Sequence, residues 1–154
     1  MTSIDLYLLD DLDRRFRSLQ KDIPGLRREM HTRAAKAIQL RVRGEIRASI
    51  NDRHGKIQNW QEHYVGSGGG YAAVRPVAGG ERGKNPGAIT NYLESGHRVR
   101  LPSGKAKRWR KSRAKQYTVR GYHFYRRIRT QAQAIAIEAA DRYVDLITER
   151  LGDQ

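Results

Sequence analysis

Apolar residues recur along this chain with two different periods. Between residues 25 and 50, Met30, Ala34, Ile38, Val42, Ile46 and Ile50 follow one another at four-residue steps. That spacing places them on one side of a helix, with Arg27, Arg28, Arg33, Lys36, Arg43 and Arg47 around it. A long helix over 25–50 is therefore expected, ended by Asn51-Asp52 and Gly55. Ahead of it, Ile4, Leu6 and Leu8 alternate and predict a short strand over 3–9. Asp10 or Asp11 then caps a short helix through Leu19, which Ile23-Pro24-Gly25 breaks.

From Trp60 the period changes to two. The runs 60–67 and 71–78 predict a β-hairpin around Ser67-Gly68-Gly69-Gly70, with Pro76 suited to an edge. Residues 79–87 read as a loop. Residues 88–95 fit either a short strand or a helical turn, and 116–122 fit a strand. A last helix is expected over 122–151, and it carries two apolar stripes. One runs through Phe124, Ile128, Ala132, Ile135, Ala139, Tyr143 and Leu146. The other holds Ile137, Ala140, Val144, Ile147 and Leu151. At about 100° per residue the two lie on roughly opposite sides. A surface helix needs one such stripe, so the second is either more core or a subunit interface. The expected fold class is α+β: a small antiparallel sheet against two long helices, in a single domain over 1–154.

Charge adds a feature that the periodicity does not show. The chain has a formal charge of +15, and thirteen of its 31 Lys and Arg fall between Arg98 and Arg129. No acid occurs between Glu94 and Glu138. Lys105, Lys107, Arg108, Arg110, Lys111, Arg113 and Lys115 lie within eleven residues, with Trp109 among them. Mutual repulsion and the Leu101-Pro102-Ser103-Gly104 start predict a basic loop or arm over 98–118. Clustered cations suit phosphates without reading sequence, and Trp109 suits stacking on a base or packing on a neighbouring subunit. An acidic protein partner fits the same charges. The nucleic-acid or partner-binding candidates are thus Arg98, Arg100, the seven bases above and Trp109.

Chemistry is thinly represented. Without cysteine there is no disulfide framework and no thiolate. Glu94 and His97 have a spacing that would make half a metal site on a helix, but Ser95-Gly96 between them favour a turn. Gly68-Gly69-Gly70 lacks the Lys-Ser/Thr of a phosphate loop. No catalytic motif is present, so no enzyme activity, metal or cofactor is expected. The first residues do not resemble a signal peptide, and no apolar run approaches the roughly 18 residues of a membrane span. A soluble protein that does not contact membrane is expected.

Three segments, in order, resemble the neck proteins of tailed double-stranded-DNA phages, the head-tail joining or tail-completion family of the gene-product-ten-like branch. They are His54-Gly55-Lys56-Ile57-Gln58-Asn59-Trp60, then Asn91-Tyr92-Leu93-Glu94-Ser95-Gly96-His97-Arg98-Val99-Arg100, then Val119-Arg120-Gly121-Tyr122-His123-Phe124. The middle segment is the most specific, and the resemblance covers about residues 25–150. His54 stands where the family has Thr, Ser95 where it has an aromatic, and 101–115 is longer and more basic than the family pattern. The resemblance implies structural roles for Gly55, Trp60, Tyr92, Glu94, Gly96, His97, Gly121 and Phe124. It implies a ring, a hexamer, in the virion neck, assembled in the host cytoplasm. Its partners would be portal or connector, head-closure, and tail terminator or tube proteins. The apolar stripe of Ile137, Val144, Ile147 and Leu151 would then be an oligomer interface. The basic loop would line a DNA channel or grip an adjacent ring. The alternative reading is a stand-alone nucleic-acid-binding module using 98–129.

Overall fold

The computed structural model describes residues 7–79, 85–99 and 118–152. The fold is α+β and mostly helical, with a long N-terminal helix, a C-terminal helix and small two-stranded sheets. The helix α1 spans Tyr7–Ser49, α2 Lys56–Asn59, α3 Pro86–Ser95, α4 Phe124–Arg127 and α5 Arg129–Gly152. The strands are β1 (Gln61–Val65), β2 (Ala72–Pro76), β3 (Gly96–Arg98) and β4 (Thr118–Arg120). β1 pairs with β2, and β3 pairs separately with β4, so there are two small sheets where one was expected.

Contacts divide the chain into two compact units. The first contains residues 1–41, 62–75 and 129–154. Here Leu19, Ala34 and Ala35 are buried. The Arg15 guanidinium donates to the carbonyl of Leu151 at 3.2 Å, and Arg150 pairs with Asp22. The expected hairpin is present. Gly66 N–H donates to Tyr71 O at 3.0 Å, and Gly69 turns the chain at φ 65°. A Cβ on Gly69 would lie 3.2 Å from Cβ of Arg28, so the tip rests closely on α1.

The second unit contains residues 42–61 and 76–128. Its core is Val42, Ile46, Phe124 and Ile128, with the polar Gln61 and Thr90 buried among them. β3 and β4 run antiparallel, with Gly96 opposite Arg120, His97 opposite Val119 and Arg98 opposite Thr118.

Several expectations are corrected. Residues 3–6 of the expected strand lie outside the described residues, and 7–9 are helical, because Leu9, Leu12 and Phe16 satisfy helical spacing equally well. Pro24 does not end the first helix; α1 runs through it. A proline there deprives the carbonyl of Gln20 of its donor, but Gln20 and Pro24 are both exposed, so solvent can take the place of the lost bond. Residues 80–84 of the expected loop lie outside the described residues, and Pro86 and Gly87 at its end are helical. Asn85 accepts from Ala88 N–H at 3.1 Å and caps α3, with Pro86 in the first turn. Residues 88–95 are therefore helix, and Gly96–Arg98 are strand rather than part of a polar turn. The last helix begins at Phe124, not Tyr122, and is interrupted at Ile128. Tyr122 and His123 instead donate their N–H groups back to Leu93 O and Glu94 O, at 2.7 and 3.1 Å.

Candidate functional site: the Glu94–Gly121 junction and the outer face of α5

The second and third motif segments meet at the end of α3. Gly96 has φ 77°, a left-handed value that favours glycine. A Cβ there would fall 2.3 Å from Val119 O, and a Cβ on Gly121 would fall 2.2 Å from Glu94 O. Two glycines are needed because two backbones touch. Above them, the Glu94 carboxylate accepts the N–H of Tyr125 at 3.1 Å and of Arg126 at 3.2 Å. Those are orphan donors of the first turn of α4, which His123 enters at φ 56°. Both carboxylate oxygens of Glu94 are thus occupied by backbone amides. Glu94 and His97 are not one helix turn apart either, because α3 ends at Ser95. Among the described residues no cluster of three metal-ligating side chains occurs. The His97 ring lies 5.2 Å from the Tyr92 ring, and its Nδ1 is buried with no hydrogen-bond partner among the described residues.

Beside this junction lies a polar hub that the sequence pattern does not reveal. Gln61 is fully buried. Its amide nitrogen donates to Ile57 O at 3.0 Å and to Thr90 Oγ1 at 3.3 Å, and its side-chain oxygen accepts from the Tyr125 hydroxyl. Its backbone carbonyl accepts from Nε and Nη2 of Arg43, at 3.2 and 2.8 Å. Burial, with the negative charge of Glu94, pushes the Tyr125 phenol up to about 12. Tyr125 therefore stays a neutral donor. At the edge of the same unit Arg127 donates to Glu45 and Ser49, each at 2.9 Å. The bond from Arg127 holds the Glu45 carboxyl below the usual carboxylate range, and the Ser49 bond adds to it.

The first motif segment closes α2. Asp52 accepts from the N–H groups of Lys56 and Ile57 at 3.0 and 2.7 Å, and buried Gly55 turns at φ 62°. Asp52 is a cap that its position before a short helical run could have announced. Trp60 accepts from Val77 N–H at 2.8 Å through its carbonyl. Phe124 is fully buried, whereas Tyr92 is exposed.

α5 carries the remaining surface of interest. None of its residues is buried. Ile137 is 61 % exposed and Val144 56 %, while Ile147 and Leu151 are half-buried. Ile135, Ala139, Tyr143 and Leu146, on the other stripe, are all half-buried. Only the Ile137–Val144 part of the second stripe is exposed, and its Ile147 and Leu151 are as half-buried as the first stripe. Of the basic candidates, Arg98 is exposed at the end of β3. Arg100, Lys105, Lys107, Arg108, Trp109, Arg110, Lys111, Arg113 and Lys115 lie outside the described residues. Among the described residues no helix is long and apolar enough to cross a membrane. Comparison with known proteins finds no matching family model, no matching curated protein and no matching solved structure.

Proposed function

We propose that this chain is a structural virion protein of a tailed double-stranded-DNA bacteriophage. In this reading it forms a ring in the neck that joins or completes the head-tail connection, and it is not an enzyme. The observation that carries the reading is the junction of the two motif segments. Glu94, Gly96, Gly121 and the start of α4 form one backbone-to-backbone contact, so the residues behind the resemblance have a common physical purpose. Self-association is supported by the outer face of α5, where Ile137, Ala140 and Val144 are exposed and recur at steps of three and four. The basic segment supplies diffuse electrostatic contact to passing DNA or to an acidic neighbouring ring. The test is direct. The purified chain should form rings by electron microscopy, or bind isolated heads or tails and complete them. A chain that stays monomeric and binds neither overturns the proposal.

A second reading, a nucleic-acid-binding module, is favoured by the thirteen bases of 98–129. It requires tight DNA or RNA binding that falls steeply with salt and disappears when Lys105 to Lys115 are neutralised. Unchanged affinity in that variant removes this reading.

A further inference from the structure

The net charge of this chain belongs to one of its two units. Residues 42–61 and 76–128 hold eighteen Lys and Arg against four Asp and Glu, a formal +14. The other unit holds thirteen against twelve, a formal +1. The few acids of the basic unit are engaged within it. Glu45 pairs with Arg127 at 2.9 Å, Glu94 accepts the amides of Tyr125 and Arg126, and Asp52 accepts those of Lys56 and Ile57. The fourth, Glu81, lies outside the described residues. Within this unit the β3–β4 ribbon presents a face made of donors. Side chains alternate along a strand, and directly opposed residues share a side. Gly96 stands opposite Arg120 and Arg98 opposite Thr118, so Arg98, Thr118 and Arg120 lie on one side, with His97 and Val119 on the other. The first three are exposed, whereas His97 and Val119 are half-buried. Arg98 and Arg120 are diagonal neighbours, roughly 7–8 Å apart across the ribbon. Neither makes an ion pair among the described residues. By spacing alone Arg120 stands apart from the Lys105–Lys115 run; the strand register brings it beside Arg98.

We propose that this ribbon face grips the phosphate backbone of double-stranded DNA without reading its sequence. Two guanidinium groups this close repel each other, and an anion between them relieves the repulsion. Guanidinium forks and a hydroxyl are the donors that phosphate oxygens take. The face carries no apolar or aromatic side chain, which a protein partner needs as a buried anchor. Stacking on unpaired bases needs aromatic rings, and the Tyr92–His97 ring pair belongs to the side of His97. A duplex turns its phosphates outward and asks for neither. Each strand of the ribbon is three residues long, too short to present an ordered set of side chains to base edges. The inference rests on the neck reading above only for the choice of DNA over RNA. It adds a contact on the folded strands, apart from the Lys105–Lys115 run.

The test uses the full chain and short DNA duplexes of two unrelated sequences. Affinity is measured by fluorescence anisotropy over a range of salt concentrations. R98Q/R120Q should lower the slope of log affinity against log salt by about 1.8, at about 0.9 per lost phosphate contact, equally for both sequences. K36Q/R142Q removes the same charge from the near-neutral unit and should leave the slope unchanged. All four positions are exposed, and matching thermal unfolding curves check that each variant folds. A second readout needs no substitution. Duplex should protect Arg98 and Arg120 of the parent chain from phenylglyoxal, read by mass spectrometry, and leave Arg142 reactive. Absent protection, an unchanged slope in R98Q/R120Q, or equal losses in the two variants each overturn the inference. So does tighter binding to single strands, which means stacking, or equal competition by poly-glutamate, which means that an acidic protein fits as well. Rings that form while the slope stays unchanged sink this inference alone and leave the neck reading standing. The expected slope change in a chain that never assembles keeps this contact and removes the neck reading.

Discussion

Gly96 and Gly121 approach so closely that neither has space for a side chain. A Cβ on Gly96 would lie 2.7 Å from the Gly121 nitrogen, and one on Gly121 would lie 2.6 Å from the Gly96 nitrogen. In both cases the obstacle is backbone, which cannot rotate away as a flexible side chain can. Gly121→Ala should therefore destabilise the fold by about 1–3 kcal/mol. Gly96→Ala should cost more, because it adds a left-handed φ of 77° to the clash. Thermal unfolding of the two variants checks both the loss and the order.

Glu94 acts on the same junction through its carboxylate. Glu94→Ala should cost about 0.5–2 kcal/mol, the usual loss for a helix cap. Glu94→Gln keeps an acceptor oxygen and should lose less. Amide hydrogen exchange at Tyr125 and Arg126 should speed up more in the Ala variant than in the Gln variant. Equal protection in both variants and the parent would show that the caps at 3.1 and 3.2 Å do not hold α4.

Tyr125 should titrate above the ordinary tyrosine range. Its phenol is pushed up to about 12, so its neutral form is favoured by folding. That contribution is fully present below the ordinary tyrosine pKa near 10 and is lost as pH rises through about 12. Absorbance at alkaline pH should show a late ionisation step that Tyr125→Phe removes. The same substitution leaves the buried Gln61 oxygen without the phenol donor and should cost about 1–3 kcal/mol.

Glu45 works in the opposite direction. Its pKa is lowered in the folded protein, chiefly by the hydrogen bond from Arg127. Its contribution is present above the unfolded carboxylate pKa and is lost as pH falls through the lower folded value. The pair is partly exposed, so the effect is small, on the order of 0–1 kcal/mol. Comparing the acid limb of stability for the parent and Glu45→Gln should show a shallower fall in the variant.

The outer face of α5 separates association from folding. Ile137 and Val144 are exposed, so Ile137→Asp with Val144→Asp should leave chain stability nearly unchanged, within about 0.5 kcal/mol per site. It should nevertheless lower the oligomer mass measured by light scattering. A stable variant of unchanged oligomeric mass would place the subunit contact elsewhere.

The sequence by itself determined the elements whose signals are local. The ladder from Met30 to Ile46 lies within α1, which ends at Ser49, one residue before Ile50, and Ala34, Val42 and Ile46 are buried. The glycine turn joins β1 to β2, and the stretch around Thr118–Arg120 is a strand. The position of the charge needs no structure at all. Tertiary structure decided what depends on distant partners. Glu94 is a cap because the amides of Tyr125 and Arg126, over thirty residues later, come to it. Gln61 is buried because Thr90 and the Tyr125 hydroxyl satisfy it. Pro24 remains inside a helix because its surroundings leave the freed carbonyl open to solvent. Two equal stripes on α5 are indistinguishable by periodicity, and only packing leaves Ile137 and Val144 exposed while half-burying Ile135 and Leu146. A helical or strand period reports which residues share a face. It carries no record of which remote backbone will meet that face, and at the Glu94–Gly121 junction that meeting decides the geometry.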